Sequence, residues 1–252
     1  MKKLGILGLA GAAMLVLPGA AVAQTPPEPL AVTVTTSVTP NKAGTKKKPK
    51  NGTLKVGFAV NPGSKRTVDR ITLFFPKNMK INGKGFKTCS VDKLNADLSG
   101  ADCPKGSKIG EGTAGALLGA APLTFKTELY AAGRNQIALF LVGQGINVQV
   151  AFPGPIKKST DRRFGQQADI DIPTSVQQPV PGAFAYITNV ETTIGGSARV
   201  KVRKKRVKRS FGTLNGCPKG GLSLGVQLTY VQNDVGPAGV SDIFTGAAAC
   251  KK

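Results

Sequence analysis

The chain has 252 residues, which is enough to bury a sizeable core in one or two domains. Its 35 Lys and Arg residues against 13 Asp and Glu residues give a formal net charge of +22, a field that favours association with anionic polymers or lipid headgroups. The sequence has no histidine, which excludes catalytic sites of the Ser-His-Asp and Cys-His types and every metal site that needs a histidine ligand.

The first 23 residues have the features of a cleaved signal peptide. Lys2 and Lys3 precede an apolar run over residues 4–17, and residues 21–23 (AVA) form a cleavage signal. The run is shorter than the roughly 20 residues that span a bilayer, so an uncleaved anchor is the weaker alternative. We therefore predict a signal peptide over residues 1–23, a disordered Pro-rich segment over 24–29 and a single elaborated domain over 30–252 of a secreted, soluble protein.

Short apolar runs separated by turn residues continue through the rest of the chain. The predicted strands cover residues 31–38, 53–60, 70–75, 123–131, 136–142, 146–152, 183–194, 198–202 and 222–230. Polar and apolar residues alternate clearly in 54–60 and 222–229, whereas the unbroken apolar run 137–142 suits a strand covered on both faces. No segment has helical periodicity. These features predict an all-β fold, an antiparallel β-sandwich of jelly-roll-like type.

The four cysteines all follow the predicted signal peptide. They are Cys89, Cys103, Cys217 and Cys250. An even number in an exported chain indicates disulfides, and three pairings are possible. We predict Cys89–Cys103 and Cys217–Cys250, because each bond closes a local segment. A four-thiolate metal site is the alternative, but it favours C-x-x-C spacings that the sequence lacks.

Several motifs resemble a pattern in large exported actinobacterial proteins. They are residues 72–76 (TLFFP), 88–89 (TC), 103–110 (CPKGSKIG), 138–143, 145–150, 172–173, 187–190 and 215–218 (NGCP). The CPxxSxIG run carries most of the likeness, which extends from residue 70 to the C-terminus. The resemblance is to uncharacterised exported β-sandwich proteins. It implies the fold class and the compartment, and it implies no activity.

Carboxylates that could serve an enzyme are few. Asp169 and Asp171 share one face of a strand, with Glu111 or Glu128 as further candidates for glycoside hydrolysis. Strand alternation, with Ile170 and Ile172 inward and both Asp side chains solvated, explains the same pattern more simply. Ser107 and Lys108 are adjacent and so point to opposite faces of a strand, which weighs against a Ser-Lys hydrolase. We predict that the protein is not an enzyme.

Two further motifs suggest ligands but lack the required context. Residues 110–115 spell G-x-G-x-x-G without a following helix, and we interpret them as the start of a glycine-rich strand. Asp92, Asp97 and Asp102 could offer oxygen ligands to Ca²⁺, but their spacing fits no EF-hand, and a solvated acidic loop is the simpler interpretation. We predict no metal and no small-molecule cofactor.

Two basic runs remain as candidate binding sites. The first contains seven cations: Lys201, Arg203, Lys204, Lys205, Arg206, Lys208 and Arg209; the second contains Lys46, Lys47, Lys48 and Lys50. Arginine makes bidentate contacts with phosphate and carboxylate groups, so the first run is expected to bind more strongly. Neither run contains the aromatic residues that stack on nucleic-acid bases, and we predict no nucleic-acid partner. A purely solubilising hairpin is an equally good interpretation of the first run.

These observations lead to one functional hypothesis and two alternatives. We predict a secreted, non-enzymatic, envelope- or matrix-associated protein that binds an anionic cell-wall polymer or a lipid surface through residues 201–209. A structural module that assembles with itself or with related exported proteins is the first alternative. A carbohydrate-active enzyme that uses Asp169 and Asp171 is the second.

Overall fold

The computed structural model describes residues 30–202, 205–233 and 236–251. The predicted signal peptide and the Pro-rich segment, residues 1–29, lie outside these ranges. Within the described ranges, neither helix has the length and apolar character that crossing a membrane requires.

The described residues form seventeen strands, two short α-helices and one 3-10 turn (Pro62–Ser64). The strands are β1 (Val32–Thr39), β2 (Lys50–Asn51), β3 (Thr53–Val60), β4 (Val68–Pro76), β5 (Met79–Ile81), β6 (Lys108–Leu118), β7 (Ala121–Gly133), β8 (Gln136–Gln144), β9 (Gln149–Lys158), β10 (Phe164–Asp171), β11 (Ala185–Ile194), β12 (Ser197–Val202), β13 (Lys205–Ser210), β14 (Gly212–Leu214), β15 (Leu222–Tyr230), β16 (Gly239–Val240) and β17 (Phe244–Ala248). The helices are α1 (Val91–Asp97) and α2 (Thr174–Gln177).

Twelve of the strands form one antiparallel sheet. Its order is β1-β3-β11-β6-β7-β8-β9-β10-β4-β15-β16, and β17 also pairs with β15. The sheet curls until β17 lies against β1, where a Cβ added at Gly246 would be 2.8 Å from the carbonyl oxygen of Val34. The structure confirms the predicted all-β, antiparallel, sandwich-like fold.

Alternating apolar side chains place the main core inside the curl. Leu54 and Phe58 of β3 are buried, while Lys55 between them is exposed. On β15, Leu224 and Leu228 are fully buried. Each such side chain removes apolar surface from water, worth about 1.5–3 kcal/mol when burial is complete. The alternation that the sequence predicts in both strands is confirmed.

Strand β8 is buried on both faces, as its unbroken apolar run predicts. Ile137 and Leu141 belong to the main core inside the curl. Ala138 and Phe140 point to the outer face, where they form a second apolar cluster with Leu94 of α1. The segment between Cys89 and Cys103 therefore covers the outside of the sheet at this point.

The segment is not entirely the solvated acidic loop that the sequence predicts, because residues 91–97 form α1, although Asp92 and Asp102 are exposed as predicted. The Ser90 hydroxyl caps the helix by accepting a 3.2 Å hydrogen bond from the Lys93 amide. Leu94, in the middle, is completely buried against the outer face of the sheet. A seven-residue helix is too short to be stable alone, so the disulfide and the Leu94 contact must hold it in place.

Both disulfides pair as predicted. Cys89 and Cys103 have Cα atoms 5.4 Å apart, and those of Cys217 and Cys250 are 5.7 Å apart. The second bond ties the end of the chain to the segment before β15. There the Lys251 amide donates to the carbonyl of Asn41 at 2.7 Å.

Two smaller sheets complete the fold. Strands β12 and β13 form an antiparallel hairpin, and β2, β14 and β5 form a three-stranded sheet in that order. The structure lengthens several predicted strands and moves the one predicted at residues 146–152 to Gln149–Lys158. The sequence does not predict β13, because its six residues, KRVKRS, lack an alternating apolar face.

Candidate anion-binding surface

The basic run is held as a two-stranded hairpin at one end of β11. After Ile194, the amides of Gly195 and Gly196 both donate to the carbonyl of Ile109 at 2.9 Å. The returning strand is fixed by Ser210, whose hydroxyl donates to the Gly195 carbonyl, and by the Phe211 amide, which donates to Gly196. Two hydrogen bonds to Ile109 of β6 therefore anchor the base of the hairpin in the main sheet, and two more join the two sides of that base.

The hairpin register brings cations opposite one another. Arg199 pairs with Lys208, and Lys201 pairs with Arg206. Cross-strand partners share a face, so these four basic positions occupy the same side of the hairpin. Like charges directly opposite each other destabilise a strand pair, so this arrangement costs the hairpin stability.

The cations that the structure describes here face solvent without carboxylate partners. Arg199, Arg206, Lys208 and Arg209 are exposed. None of the ion pairs found among the described residues includes them. The sequence from residue 192 to residue 233 contains no Asp or Glu.

The predicted binding residues are only partly placed. Lys201 and Lys205 lie on β12 and β13, and Arg206, Lys208 and Arg209 follow on β13. Arg203 and Lys204 lie outside the described residues. Arg199 was not predicted as part of the site, although its spacing of two residues from Lys201 is the strand period that could have identified it.

The second basic run forms a tight turn and a short strand. Lys48 and Thr45 close the turn through two backbone hydrogen bonds of 3.0 and 3.1 Å. Lys46 and Lys47 are exposed at its tip. Lys50 begins β2 and pairs with Leu214 on β14.

The two carboxylates proposed for catalysis have different environments, and neither is free. Asp171 is exposed and pairs with Arg70. Only 13% of the Asp169 side chain is exposed, and it accepts hydrogen bonds from Thr72 at 3.0 Å and Gln167 at 2.8 Å and pairs with Lys157. Burial raises the pKa of Asp169, but hydrogen bonds from these three partners outweigh it and hold the pKa below its ordinary value. The prediction that both Asp side chains are solvated is therefore wrong for Asp169.

Glu128 is held in a separate ionic cluster on the outer face of β7. Lys108 and Lys126 both lie within 2.9 Å of one carboxylate oxygen, and the Tyr130 hydroxyl donates to the other at 2.6 Å. Burial opposes ionisation, yet the three donors lower the pKa of Glu128 to about 2. Burial and the hydrogen bond to Glu128 raise the pKa of Tyr130.

The fold does not bring Glu128 close enough to Asp169 to form a hydrolytic pair with it. Glu128 on β7 is three strands from Asp169 on β10, or about 14 Å along the sheet. The two catalytic carboxylates of a retaining or inverting glycosidase are about 5–10 Å apart. Lys108 binds Glu111 as well as Glu128, and the Ser107 hydroxyl donates instead to the carbonyl of Pro104.

The remaining motifs have structural roles. Residues 110–115 lie within β6, between β7 and β11, as a glycine-rich strand. Asp97 accepts hydrogen bonds from the amides of Ser99 and Asp102 and so shapes the turn after α1. Over the described ranges, no group of three or more Cys, Asp or Glu side chains is arranged to hold a metal ion.

An apolar cavity of about 80 Å³ lies inside the curled sheet. Side chains such as Phe58, Leu73, Phe125 and Ile170 line it. Thr127 brings a hydroxyl to this lining, and the described residues provide no hydrogen-bond partner for it.

No protein-family model matches the chain, and neither does any curated protein or solved structure.

Proposed function

We propose that this is a secreted, non-enzymatic protein that associates with a cell envelope or matrix by binding an anionic surface polymer through the β12–β13 hairpin. One observation carries the proposal. The hairpin pairs cations across its two strands. Among the described residues, no carboxylate forms an ion pair with its exposed cations, which are Arg199, Arg206, Lys208 and Arg209.

The arrangement suits a ligand with closely spaced negative charges. An anion between Arg199 and Lys208 relieves the repulsion between them, because it interacts with both cations at once. Arg199, Arg206 and Arg209 also provide planar guanidinium groups that bind carboxylate or phosphate oxygens bidentately. Binding therefore recovers stability that the unliganded hairpin lacks.

The signal-peptide features and the two disulfides support an extracellular location. Disulfides persist in oxidising compartments and are rare in the cytosol. A secreted protein with this charge meets anionic polymers at the outer surface of the cell before it meets nucleic acid.

The two alternatives have less support. Self-assembly through an apolar face needs a contiguous patch, whereas the exposed large apolar residues among those described, Leu98, Val180, Val207 and Val240, lie in separate segments. Carbohydrate hydrolysis would require a free pair of carboxylates, and both Asp169 and Asp171 are engaged by cations.

The test compares two variants with the same change in net charge. The hairpin variant replaces Arg199, Arg206, Lys208 and Arg209 with Ser. The control variant replaces Lys77, Lys93, Lys158 and Arg162, which are exposed elsewhere on the molecule, with Ser.

Retention is measured on polyglutamate resin and on isolated envelopes across a salt gradient. We expect the hairpin variant to elute at much lower salt than the wild type. The control variant should elute close to the wild type, because exposed charges distant from the site are screened within about 8 Å at physiological ionic strength. Equal losses in both variants would contradict the proposal, since net charge alone would then explain retention.

A further inference from the structure

We propose that the polyanion site does not end at the hairpin. The structure extends it along β13 and β14 to the lysine turn of residues 45–50, so that the hairpin, an intervening groove and the turn form one basic strip for a linear polyanion. This inference rests on the function proposed above and specifies the shape and length of its ligand.

The hairpin and the lysine turn lie on a single backbone path. Only Phe211 separates β13 from β14. Strand β14 then pairs with β2, which brings Leu214 opposite Lys50. The path bends at Phe211, so the ten residues 205–214, at about 3.3 Å per residue, span at most about 30 Å. Two basic runs that are 150 residues apart in the sequence thus stand at the two ends of one strand path.

Phe211 fixes this path to the core. Its side chain is completely buried, and its ring packs edge-on against Phe86 with centroids 5.6 Å apart. The flanking cations remain exposed while the backbone between the two small sheets is anchored. Binding along the strip therefore orders side chains and does not have to order the backbone, which lowers its entropic cost.

The lysine turn is held to the same strand by backbone hydrogen bonds. The Gly44 amide donates to the Leu214 carbonyl at 3.2 Å, and the Ala43 amide donates to the Lys251 carbonyl at 2.8 Å. Together with the Thr45–Lys48 turn, these bonds present Lys46 and Lys47 from a fixed scaffold.

A polar groove of about 320 Å³ joins the hairpin to the start of β3. Its lining includes Thr39, Asn51 and Thr53 together with Ser197, Lys208 and Ser210, and Asn51 follows Lys50 on β2. Lys208 belongs both to the cationic face of the hairpin and to this groove. No carboxylate lines the groove, so an anionic chain can pass through it without repulsion.

Carboxylates are missing from all the segments that build the strip. The sequence has no Asp or Glu in residues 30–68, 70–91 or 192–233, which supply every strand of the two small sheets. Some cations of the large sheet do have carboxylate partners, since Lys55 and Lys157 bind Glu191 and Asp169. The segments that build the strip supply no carboxylate that would compete with an anionic ligand.

A strip of this length selects for long polyanions. An extended peptide covers at most about 3.3–3.6 Å per residue, so up to roughly ten residues of oligoglutamate are needed to reach from end to end. A shorter chain can contact only one end. Once a long chain is bound at the hairpin, the turn meets its free part at a high effective concentration and adds affinity without a second association step.

The test measures binding of oligoglutamate probes of 4, 8, 16 and 24 residues to the full mature chain. The wild type, the hairpin variant and the control variant are compared with a turn variant in which Lys46, Lys47, Lys48 and Lys50 are replaced with Ser. We expect the wild-type affinity to rise at least tenfold between the 4-residue and 16-residue probes. In the turn variant we expect this rise in affinity to disappear, while the affinity for the 4-residue probe stays the same as in the wild type.

Salt dependence provides an independent readout. With the 16-residue probe, the slope of log affinity against log salt should be shallower in the turn variant by about 3, if each lost contact reduces it by roughly 0.7 as for single-stranded nucleic acids. With the 4-residue probe, the slopes of the two proteins should agree.

The outcomes separate this inference from the function on which it rests. A turn variant that keeps the full length dependence, alongside a hairpin variant that binds weakly, would overturn the strip and leave the hairpin site intact. A hairpin variant that binds every probe like the wild type would overturn both. Binding to phosphatidylglycerol vesicles that the 24-residue probe cannot displace would assign the surface to lipid and also reject the strip.

Discussion

The hydroxyl of Tyr130 donates a 2.6 Å hydrogen bond to the carboxylate of Glu128, two residues earlier on the same strand. The turn after α1 closes over this pair, and Gly100 approaches so closely that an added Cβ would collide with the Tyr130 hydroxyl. Glu128 is thus an ionised carboxylate beneath a disulfide-closed segment, and two lysines and one phenol compensate its charge.

We expect Glu128 to make stability depend on pH in the acid range. Its pKa of about 2 in the folded protein lies below the ordinary value of 4.5, so the stabilisation is complete above about pH 5 and disappears as the pH falls towards 2. This difference in pKa corresponds to a contribution of about 3 kcal/mol to the free energy of unfolding. Because Lys108 and Lys126 are partly exposed and solvent screens their charges, we expect a contribution of about 2 kcal/mol.

Urea unfolding of Glu128→Gln between pH 7 and pH 2.5 tests this expectation. At pH 7 the variant should be less stable than the wild type by about 2 kcal/mol, and the gap should narrow steadily below pH 4.5. A gap that stays constant with pH would assign the effect to packing and not to charge.

Asp169 and Asp171 should respond differently to the same substitution. Asp169→Asn should lower the free energy of unfolding by about 1–2 kcal/mol, because it weakens hydrogen bonds to a largely buried group. Asp171→Asn should change it by less than about 0.5 kcal/mol, because its ion pair with Arg70 is exposed. Urea unfolding at pH 7 measures both. An effect of Asp169→Asn as small as that expected for Asp171→Asn would mean that the hydrogen bonds around Asp169 contribute no stability.

The unpartnered hydroxyl of Thr127 predicts a stabilising substitution. Thr127→Val keeps the shape of the side chain and removes a buried polar atom, so we expect a gain of about 1 kcal/mol. Thr72→Val is the matched control, because the Thr72 hydroxyl is hydrogen-bonded to Asp169 and its removal should cost about 1 kcal/mol. Thermal or urea unfolding would show the opposite signs, and a loss of stability in Thr127→Val would reveal a partner for its hydroxyl.

The two disulfides should be separable by their effect on binding. Replacing Cys217 and Cys250 with Ser, or Cys89 and Cys103 with Ser, should each cost about 3–4 kcal/mol in the chain-entropy model, with the larger loss for the longer loop. The Cys217–Cys250 bond also holds the segment whose Lys251 is hydrogen-bonded to Asn41 and Ala43.

Only the loss of Cys217–Cys250 should therefore loosen the lysine turn. We expect that variant to show faster amide hydrogen exchange at Gly44 and Thr45 and a smaller gain in affinity for long oligoglutamate. The Cys89/Cys103 variant, at matched stability, should keep the wild-type length dependence. Identical behaviour of the two variants would show that the chain end does not support the turn.

Local pattern was sufficient to predict much of the fold. The run from Ile137 to Val142 has no polar position, which allowed only a strand covered on both faces, and β8 is buried in this way. Helix α1 could not be predicted, because its stability depends on Leu94 meeting an outer face formed by strands β7 to β9. The sequence also indicated the local disulfides, because nearby cysteines can close short loops.

The candidate surface was predictable in composition but not in arrangement. The count of cations in residues 201–209 identified the hairpin, whereas the register that sets Arg199 opposite Lys208 exists only in the folded pair. The link to the lysine turn depends on pairing between β2 and β14, which are more than 150 residues apart in the chain. Similarly, one of the hydrogen bonds that Asp169 accepts comes from Thr72, a residue 97 positions away.

The approach of β17 to β1 affects how the protein behaves when crowded. Sheet edges with free amides and carbonyls can add a strand from a second molecule and so start aggregation. Here Gly246, which has no side chain, lets β17 pass close to the backbone at Val34, so the first strand of the large sheet is partly covered by one of the last. Gly246→Val would push these strands apart and expose the edge of β1, so we expect the variant to aggregate at lower concentrations than the native chain.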